Sequence, residues 1–575
     1  MKYFSERISN KNKTLLMVIL SLLIVFVNYG FFVQWLQQRK DILSWDNANY
    51  YKQAISLSQQ GLNGIYNNVL NSTLHSDYSS ILAVPIALFM KFFGLSRMLY
   101  ETVIYWLYMV PAAVFGSTFF TRVLKIKKDK INRCFPALLF LLLFLPSSAI
   151  SVLSFRVDIA PLALVALIGI YLSFIDLQKF NWRDSFILGL LFLILILLRR
   201  WYLYFVISFF LVYWSGFVLK AVIDNKNIKL IFKQLRGITI NLFISGITML
   251  GIMATVIAPQ FKHTFLVNYT DLYSSYNVGS WGERLTRFVL HFGLLFVIIS
   301  IIGYVIAIKS QKNKITNLFT FTFVQGVLIF IMFNMTQTFG EHHYYLLVPF
   351  VITGLVGLLV YSTKNIAKIG LLVITLVIFI MSHFFLPVNV LQKPITPLIL
   401  GNSVTFAPPV RHDIKKIQDL NLYLGKHLAK NGGVYVLSST GFFNGDGLNN
   451  VFLPQPSKTL IYQPHDVDKR DGFSPDFFKA QYIIVADPIQ LHQGPDNQLL
   501  IDLPAEAILA GKVTNLELVK QVSIDNGVKL NVYKRVGKYS YAFFEELKDK
   551  ISKRYPGYTN IQPIFNSEYV EQKGE

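Results

Sequence analysis

Two things are scarce in this chain of 575 residues: cysteine, present once as Cys134, and acid, with 32 Asp and Glu against 54 Lys and Arg. A lone cysteine excludes an intrachain disulfide and a thiolate metal cluster. Charge of either sign is sparse, at 15% of residues against 53% hydrophobic, and the mean hydropathy is +0.46. No HExxH spacing occurs, so the commonest zinc-hydrolase signature is missing. The apolar segment after Met1 to Lys13 lacks a small-residue cleavage site. It reads as a retained anchor and not as a signal peptide.

What is abundant is uninterrupted apolar sequence. Runs long enough to cross a hydrocarbon core of about 30 Å recur from Thr14 to Val388. A soluble core does not use so many, and a membrane barrel shows weak period-two segments of about ten residues instead. The expected fold class is a polytopic α-helical membrane protein with about eleven transmembrane helices. They fall near 14–35, 98–121, 134–152, 159–176, 185–200, 201–219, 237–258, 287–308, 317–335, 344–362 and 369–388.

The net charge of +22 would suggest nucleic acid in a soluble protein. Here Lys and Arg crowd alternate loops, as in Lys125 to Arg133, Lys220 to Arg236 and Lys309 to Lys314. Such loops face the cytoplasm. The basic balance is therefore topology and attraction to membrane lipids, and no nucleic acid is expected as a partner. Ile81 to Gly94 is apolar but short for a span and is kept on the outer surface, because a crossing there would reverse the bias of every later loop. The N-terminus is then cytoplasmic. The expected domains are 1–388, a membrane module with a long outward loop at 36–97 carrying interfacial helices, and 389–575, a soluble extracytoplasmic α/β domain.

That topology gathers chemistry-bearing residues outside: Asp46, His75, Asp77, Arg156, Asp158, Arg199, Arg200, the segment Lys262 to Arg287, and Glu341-His342-His343-Tyr344-Tyr345. Arg199 and Arg200 separate two apolar spans, where a buried arginine costs on the order of 3 kcal/mol and wants an anionic partner. Anchoring a turn at the interface explains them as well as phosphate binding does. The outward carboxylates favour phosphate, which guanidinium meets in a bidentate fork. Asp46 heads an expected amphipathic helix, Asn47 to Gln60, ended by Gly61 and Gly64, and a plain helix cap is the competing reading for it. Glu341, His342 and His343, with Asp158 or His75, could coordinate a divalent cation. Adjacent histidines do not share a helical face, so substrate hydrogen bonding suits them better. No cofactor is required. Lys262 to Arg287 reads as a mobile loop over the site, though its Tyr and Trp also fit an interfacial belt.

The order of these elements resembles membrane glycosyltransferases of the GT-C fold, nearest to the protein O-mannosyltransferases and the aminoarabinose transferases of lipid A. The features that carry it are an acid in a long first outward loop, an interfacial helix ending Phe92-Phe93-Gly94-Leu95-Ser96-Arg97, a second loop reading Ser154-Phe155-Arg156-Val157-Asp158, and a cation closing a later span. The resemblance implies that Asp46 is the general base on the acceptor, that Asp158 lies near the donor phosphate, and that Arg199 and Arg200 bind a polyprenyl phosphate. His342, His343, Tyr344 and Tyr345 match a late loop, here without the arginine that often precedes the tyrosine. Asn47 stands where the mannosyltransferases have a second acid.

Sugar transfer from a lipid phosphate needs a base, stabilisation of the departing phosphate and a water-poor site. The expected reaction moves a sugar from a polyprenyl-phosphate donor to a hydroxyl of a glycan, lipid or protein acceptor at the outer face of a bacterial plasma membrane, with inversion. Arg156 joins the phosphate ligands; His75, Asp77, Glu341, His342, His343 and Tyr344 are substrate contacts. The alternative is a transporter or flippase of lipid-linked glycans, which predicts internal repeats, polar residues near span centres and helices broken by Gly or Pro at matching positions; none is clear in the sequence. A third reading is an assembly scaffold, for which the outward acids are dispensable. Beyond 388, a helix is expected over Asp413 to Leu428, buried strands over Gly433 to Leu437 and Tyr482 to Ala486, and a hairpin around Asn526-Gly527. Asp446, His465 and Asp487 read as ordinary loop residues.

Overall fold

The computed structural model describes residues 2–75, 79–223, 228–311, 317–381, 395–401, 408–455, 457–462, 465–472, 474–556 and 568–572. Asp77 lies outside them. The chain forms two compact units. One comprises Met1–Gln38, Gln53–Val267 and Gly279–Pro408, the other Arg39–Lys52, Asn268–Val278 and Pro409–Glu575. Composition marks a single cut at 388/389, where the apolar runs stop; the second unit also includes residues 39–52 and 268–278.

The first unit is helical. Among the described residues, five helices are long and apolar enough to cross a membrane, or seven if each of two bent pairs is one span; Ser80–Phe93, Ala160–Leu172, Val348–Tyr361 and Asn365–Ile380 are apolar but shorter. Length and composition thus stop short of the expected number of crossings, although each expected segment overlaps a helix, the one at 369–388 as far as its described residues reach. The bent pairs are Lys130–Phe144 with Pro146–Leu153, at 53°, and Trp281–Phe292 with Leu294–Ser310, at 93°. Pro146 opens its helix at the first position, where the missing N–H would be unpaired anyway. Gly293 has φ 82, a conformation open mainly to glycine. The span expected at 287–308 is therefore corrected. Trp281–Phe292 is a separate helix, closed at its start by a Ser280/Glu283 capping box, and the apolar helix begins at Leu294. These two breaks escaped the sequence reading because apolar residues continue on both sides of each.

The loop at 36–97 holds more helix than expected. Asp46–Ser58 forms as anticipated, but Leu62–His75 is a second helix before Ala83–Phe93. Gly61 sits in the break while Gly64 lies inside the second helix.

Helices Leu294–Ser310 and Val348–Tyr361 approach through small residues. A Cβ on Gly303 would stand 1.9 Å from the Gly354 carbonyl oxygen, and one on Gly357 2.5 Å from that of Gly303. Ser300 donates to the Val351 carbonyl across the pair, 2.9 Å. Lipid supplies little hydrophobic drive for helix association, so such backbone proximity is what joins the helices. Gly303→Leu is expected to part them at a cost beyond the usual ~1–3 kcal/mol of overpacking, read as loss of monodisperse protein in detergent, whereas Gly370→Leu, in open space, leaves the yield unchanged.

The second unit is built on a four-stranded sheet of order β1-β2-β4-β3, with β1 Val434–Leu437, β2 Tyr482–Asp487, β3 Leu516–Ser523 and β4 Lys529–Arg535. β1 and β2 are parallel and the other pairs antiparallel. Val434, Val436 and Ile484 pack with Ile417, Leu420 and Leu424 of the helix Ile414–His427 on one face. On the other, Tyr435, Leu437 and Ile483 meet Leu500, Ile501 and Phe544. Burial on both faces explains why β1 and β2 read as continuous apolar runs and not as alternation. Asn526 and Gly527, at φ 60 and 72, make the β3–β4 turn whose positive φ values that dipeptide favours.

Candidate functional site

In the first unit, one turn places most of the candidate residues. All eight residues of the helix Pro146–Leu153 are buried. The helix closes with Arg156 N–H on the Ser151 carbonyl (2.9 Å) and Phe155 N–H on that of Val152 (3.2 Å), a Schellman pattern that normally carries glycine at its left-handed position. Here that position is Phe155, φ 60. A non-glycine residue there costs roughly 1–2 kcal/mol. Surrounding contacts hold it: Tyr100 donates to the Phe155 carbonyl (3.0 Å) and stacks on its ring (5.7 Å), and the Arg97 guanidinium lies 4.9 Å from the ring centre. Ser151 staples the turn, its Oγ donating to the Arg156 carbonyl (2.6 Å) and accepting from Ile159 N–H (3.1 Å).

The turn sends Arg156 and Asp158 different ways. Asp158, 1% exposed, pairs with Arg199 Nη2 at 2.6 Å, and Arg199 is 5% exposed. Arg199 is extended between the helix Trp182–Leu198 and the turn Arg200–Tyr202, and its guanidinium lies 4.8 Å from the Trp201 ring centre. Arg156 is half-buried and meets exposed Glu341 at 3.4 Å. Trp201 in turn packs on His342 and His343, at 5.3 and 4.8 Å. Burial, then the charges of Arg156 and Arg199, push the His342 imidazole well below its usual range, so it acts as a neutral ring.

Asp158, Arg156, Arg199, Arg200, Glu341, His342 and His343 are thus brought into one neighbourhood by three stretches of chain. Tyr344 is turned away from it and stacks on His291 at 4.0 Å. Its neighbour Tyr345 is buried against the helix Pro146–Leu153, its hydroxyl accepting from Ser151 N–H (2.7 Å) and donating to the Ser148 carbonyl (3.3 Å). His75 ends the helix Leu62–His75 and is exposed. Ser151 and Tyr100 are the supporting residues that sequence reading missed; a serine in an apolar run and a tyrosine at a helix start carry no distinguishing signal. Among the described residues, no group of three or more His, Cys, Asp and Glu is placed to hold a metal ion.

Against this neighbourhood lies an apolar cavity of about 740 Å³ whose lining includes Ser148, Ile159, Phe205 and Val348. It follows the helix Val110–Val123 from Met109 to Arg122, a path on the order of 20 Å at 1.5 Å per residue.

Asp46 belongs to the second unit. It lies in the first turn of the helix Asp46–Ser58 and is half-buried. Asp446, read from sequence as an ordinary loop residue, accepts from Trp45 N–H and pairs with Lys52, both at 2.7 Å. The Trp45 indole donates to Asp466 at 3.0 Å. Asp466 also pairs with Arg470 (3.0 Å), which donates to the Tyr276 hydroxyl (3.3 Å), while Lys469 meets Asp271 at 3.0 Å. The segment 268–278 is therefore fastened within this unit, where a mobile loop was expected. Sequence could not show this, because the partners are nearly 200 residues apart.

Asp471 anchors that network. Its Oδ2 accepts from Asp466 N–H and Val467 N–H, both at 2.8 Å. Burial would raise its pKa, but Arg470 and the Val467 N–H outweigh burial and hold the carboxyl below its ordinary value. A depressed carboxylate stabilises the fold above the unfolded value of about 3.9, and the contribution is lost as pH falls through the folded value. Hydrogen exchange at Asp466 and Val467 should therefore speed up below about pH 4, after correction for intrinsic rates, and Asp471→Asn should remove most of that pH dependence.

No protein-family model matches this chain, and no curated protein does. Among solved structures, it is similar to ArnT from Cupriavidus metallidurans bound to undecaprenyl phosphate, with TM-score 0.46 and 11% identity over 90% of this chain and 97% of that one. The same protein in the apo state matches with TM-score 0.46 and 12% identity over 92% and 99%.

Proposed function

We propose that the protein is a membrane glycosyltransferase that takes a sugar from a polyprenyl-phosphate donor and passes it to a hydroxyl acceptor at the outer membrane face. The observation that carries this reading is the pairing of an apolar cavity of about 740 Å³ with a cationic cluster whose turn contributes Ile159 to the cavity wall. That volume lies within the ~300–1,000 Å³ of ordinary ligand sites. An isoprenoid chain suits the cavity, and a phosphate suits the arginines above it. Arg199 is paired with Asp158 inside the fold; Arg156, half-buried beside exposed Glu341, and Arg200, next to Arg199 in the chain, are the guanidiniums proposed to meet the phosphate. Asp158 then acts by fixing Arg199. His342, as a neutral ring, and His343 flank the sugar as hydrogen-bonding groups, with Glu341 beside them and His75 and Asp77 as further substrate contacts. Asp46 is the base for the acceptor hydroxyl, attacking with inversion at the anomeric carbon. The N-terminus is cytoplasmic and the second unit extracytoplasmic.

The test is donor consumption by purified protein in lipid nanodiscs, over a panel of polyprenyl-phosphate sugars. Arg156→Ala and Arg200→Ala are expected to lower kcat/KM by about 10- to 100-fold each, the equivalent of ~1.5–3 kcal/mol for a charged hydrogen bond. Consumption of no donor, or unchanged kcat/KM in both variants, rules the reading out.

One observation favours the second reading. Helices broken at Pro146 and Gly293 are the kind of interruption that lines transport sites. Translocation of a fluorescent lipid-linked glycan across proteoliposomes without loss of its sugar would establish transport in place of transfer.

A further inference from the structure

Trp45 is the residue from which the helix carrying Asp46 starts. Its carbonyl accepts the N–H groups of Ala48 and Asn49, both at 3.0 Å. Its own backbone is left-handed, φ 53, which is unusual for so large a residue. Conformations of this kind persist only where the surroundings over-determine them, and they gather at functional sites. Three groups of the second unit hold this one: Asp446 through the backbone N–H (2.7 Å), Asp466 through the indole N–H (3.0 Å), and His492, whose ring lies 5.2 Å from the indole.

Asp446 does more than the others. One carboxylate oxygen takes the Trp45 N–H, and the other meets Lys52 Nζ at 2.7 Å. Trp45 and Lys52 bracket Asp46, so a single carboxylate fixes both ends of the stretch that bears it. The neighbouring groups are not a ligand site. Asp466 Oδ1 is taken by Trp45 and by Ser439 (3.3 Å), and Oδ2 by Arg470 (3.0 Å). A network engaged internally at each of these atoms is a fastening.

We propose that Asp446 is a positioning residue for the transfer reaction, setting the direction in which the Asp46 carboxylate leaves the first helical turn. The inference rests on Asp46 being the acceptor base. Displacement of a reacting group by about 1 Å can cost a hundredfold in rate, and a carboxylate held through its own backbone neighbour is exposed to such a shift.

The experiment measures kcat and donor KM for full-length protein in nanodiscs with a polyprenyl-phosphate sugar. Asp446→Ala, Asp446→Asn and Lys52→Met are each made in the wild type and with Asp46→Asn. Asp446→Ala is expected to lower kcat by about 10- to 100-fold with donor KM within about twofold, as a group acting only in the transition state does. Asp446→Asn keeps an acceptor for the Trp45 N–H and should lose less, matching Lys52→Met. With Asp46→Asn present, none of the three should slow the residual rate further, because no base remains to be misplaced. A folded Asp446→Ala with wild-type kcat, or one that slows the Asp46→Asn protein by the same factor as the wild type, overturns the positioning role while the base reading stands. Wild-type turnover by Asp46→Asn alone overturns both. If Asp446→Ala does not fold, the same criteria apply to Asp446→Asn and Lys52→Met.

Discussion

Asp46→Asn is expected to lower sugar transfer by about a hundredfold to ten-thousandfold, the range lost with a general base, while its melting temperature hardly moves. The two effects separate because the competing role for Asp46 is small. A carboxylate in the first turn of a helix, as here, interacts favourably with the helix dipole by about 0.3–1 kcal/mol. Asparagine keeps the size and gives up only that. A capping role therefore predicts a slight loss of stability with normal turnover, and a base predicts the reverse. Measuring kcat beside a thermal melt on the same preparation decides between them, and turnover within about threefold of wild type would dismiss the base.

The second large effect is expected at Asp158. Its ion pair with Arg199, at 2.6 Å and nearly sealed from solvent, cost desolvation to form, and breaking it from one side leaves the buried Arg199 charge without this carboxylate. Such a loss is typically about 3–5 kcal/mol, enough to deplete the folded protein. Removing both charges is a different experiment. Asp158→Leu with Arg199→Met should recover most of the stability, because an apolar pair often replaces a buried ion pair at little cost. If the double variant folds and transfers sugar normally, the pair is structural. If it folds but is inactive, the charges serve the donor. The measurements are the melting temperature and donor consumption of the single and double variants.

How much of this was legible in the sequence depends on the range of the interaction. Helices such as Arg97–Val123 and Leu318–Thr336 are visible because hydropathy is a property of the window that contains them. The strands Val434–Leu437 and Tyr482–Asp487 and the Asn526-Gly527 turn are visible for the same reason. Arg156, Asp158, Arg199, Glu341, His342 and His343 could be listed as candidates because charge is conspicuous in an apolar chain. The pairing of Asp158 with Arg199 could not be read, nor the packing of Tyr344 on His291 and of Tyr345 on Ser151, since both depend on which way a turn faces. Asp446 was passed over because its partners lie 401 and 394 residues away, and nothing in its local sequence distinguishes it from a polar loop residue.

That separation also imposes an order on assembly. Residues 39–52 are made early, yet Trp45 meets Asp446 and Asp466, and Leu43 meets Asn450, only across 401, 421 and 407 residues. At a ribosomal pace of about 5–20 residues per second, the segment waits on the order of 20–80 s for the chain that will receive it. During synthesis the second unit is therefore a receptor completed last, and the early loop is a ligand kept in hand. A chaperone or a translocation partner that shields residues 39–52 in that interval would keep the segment available for its late partners.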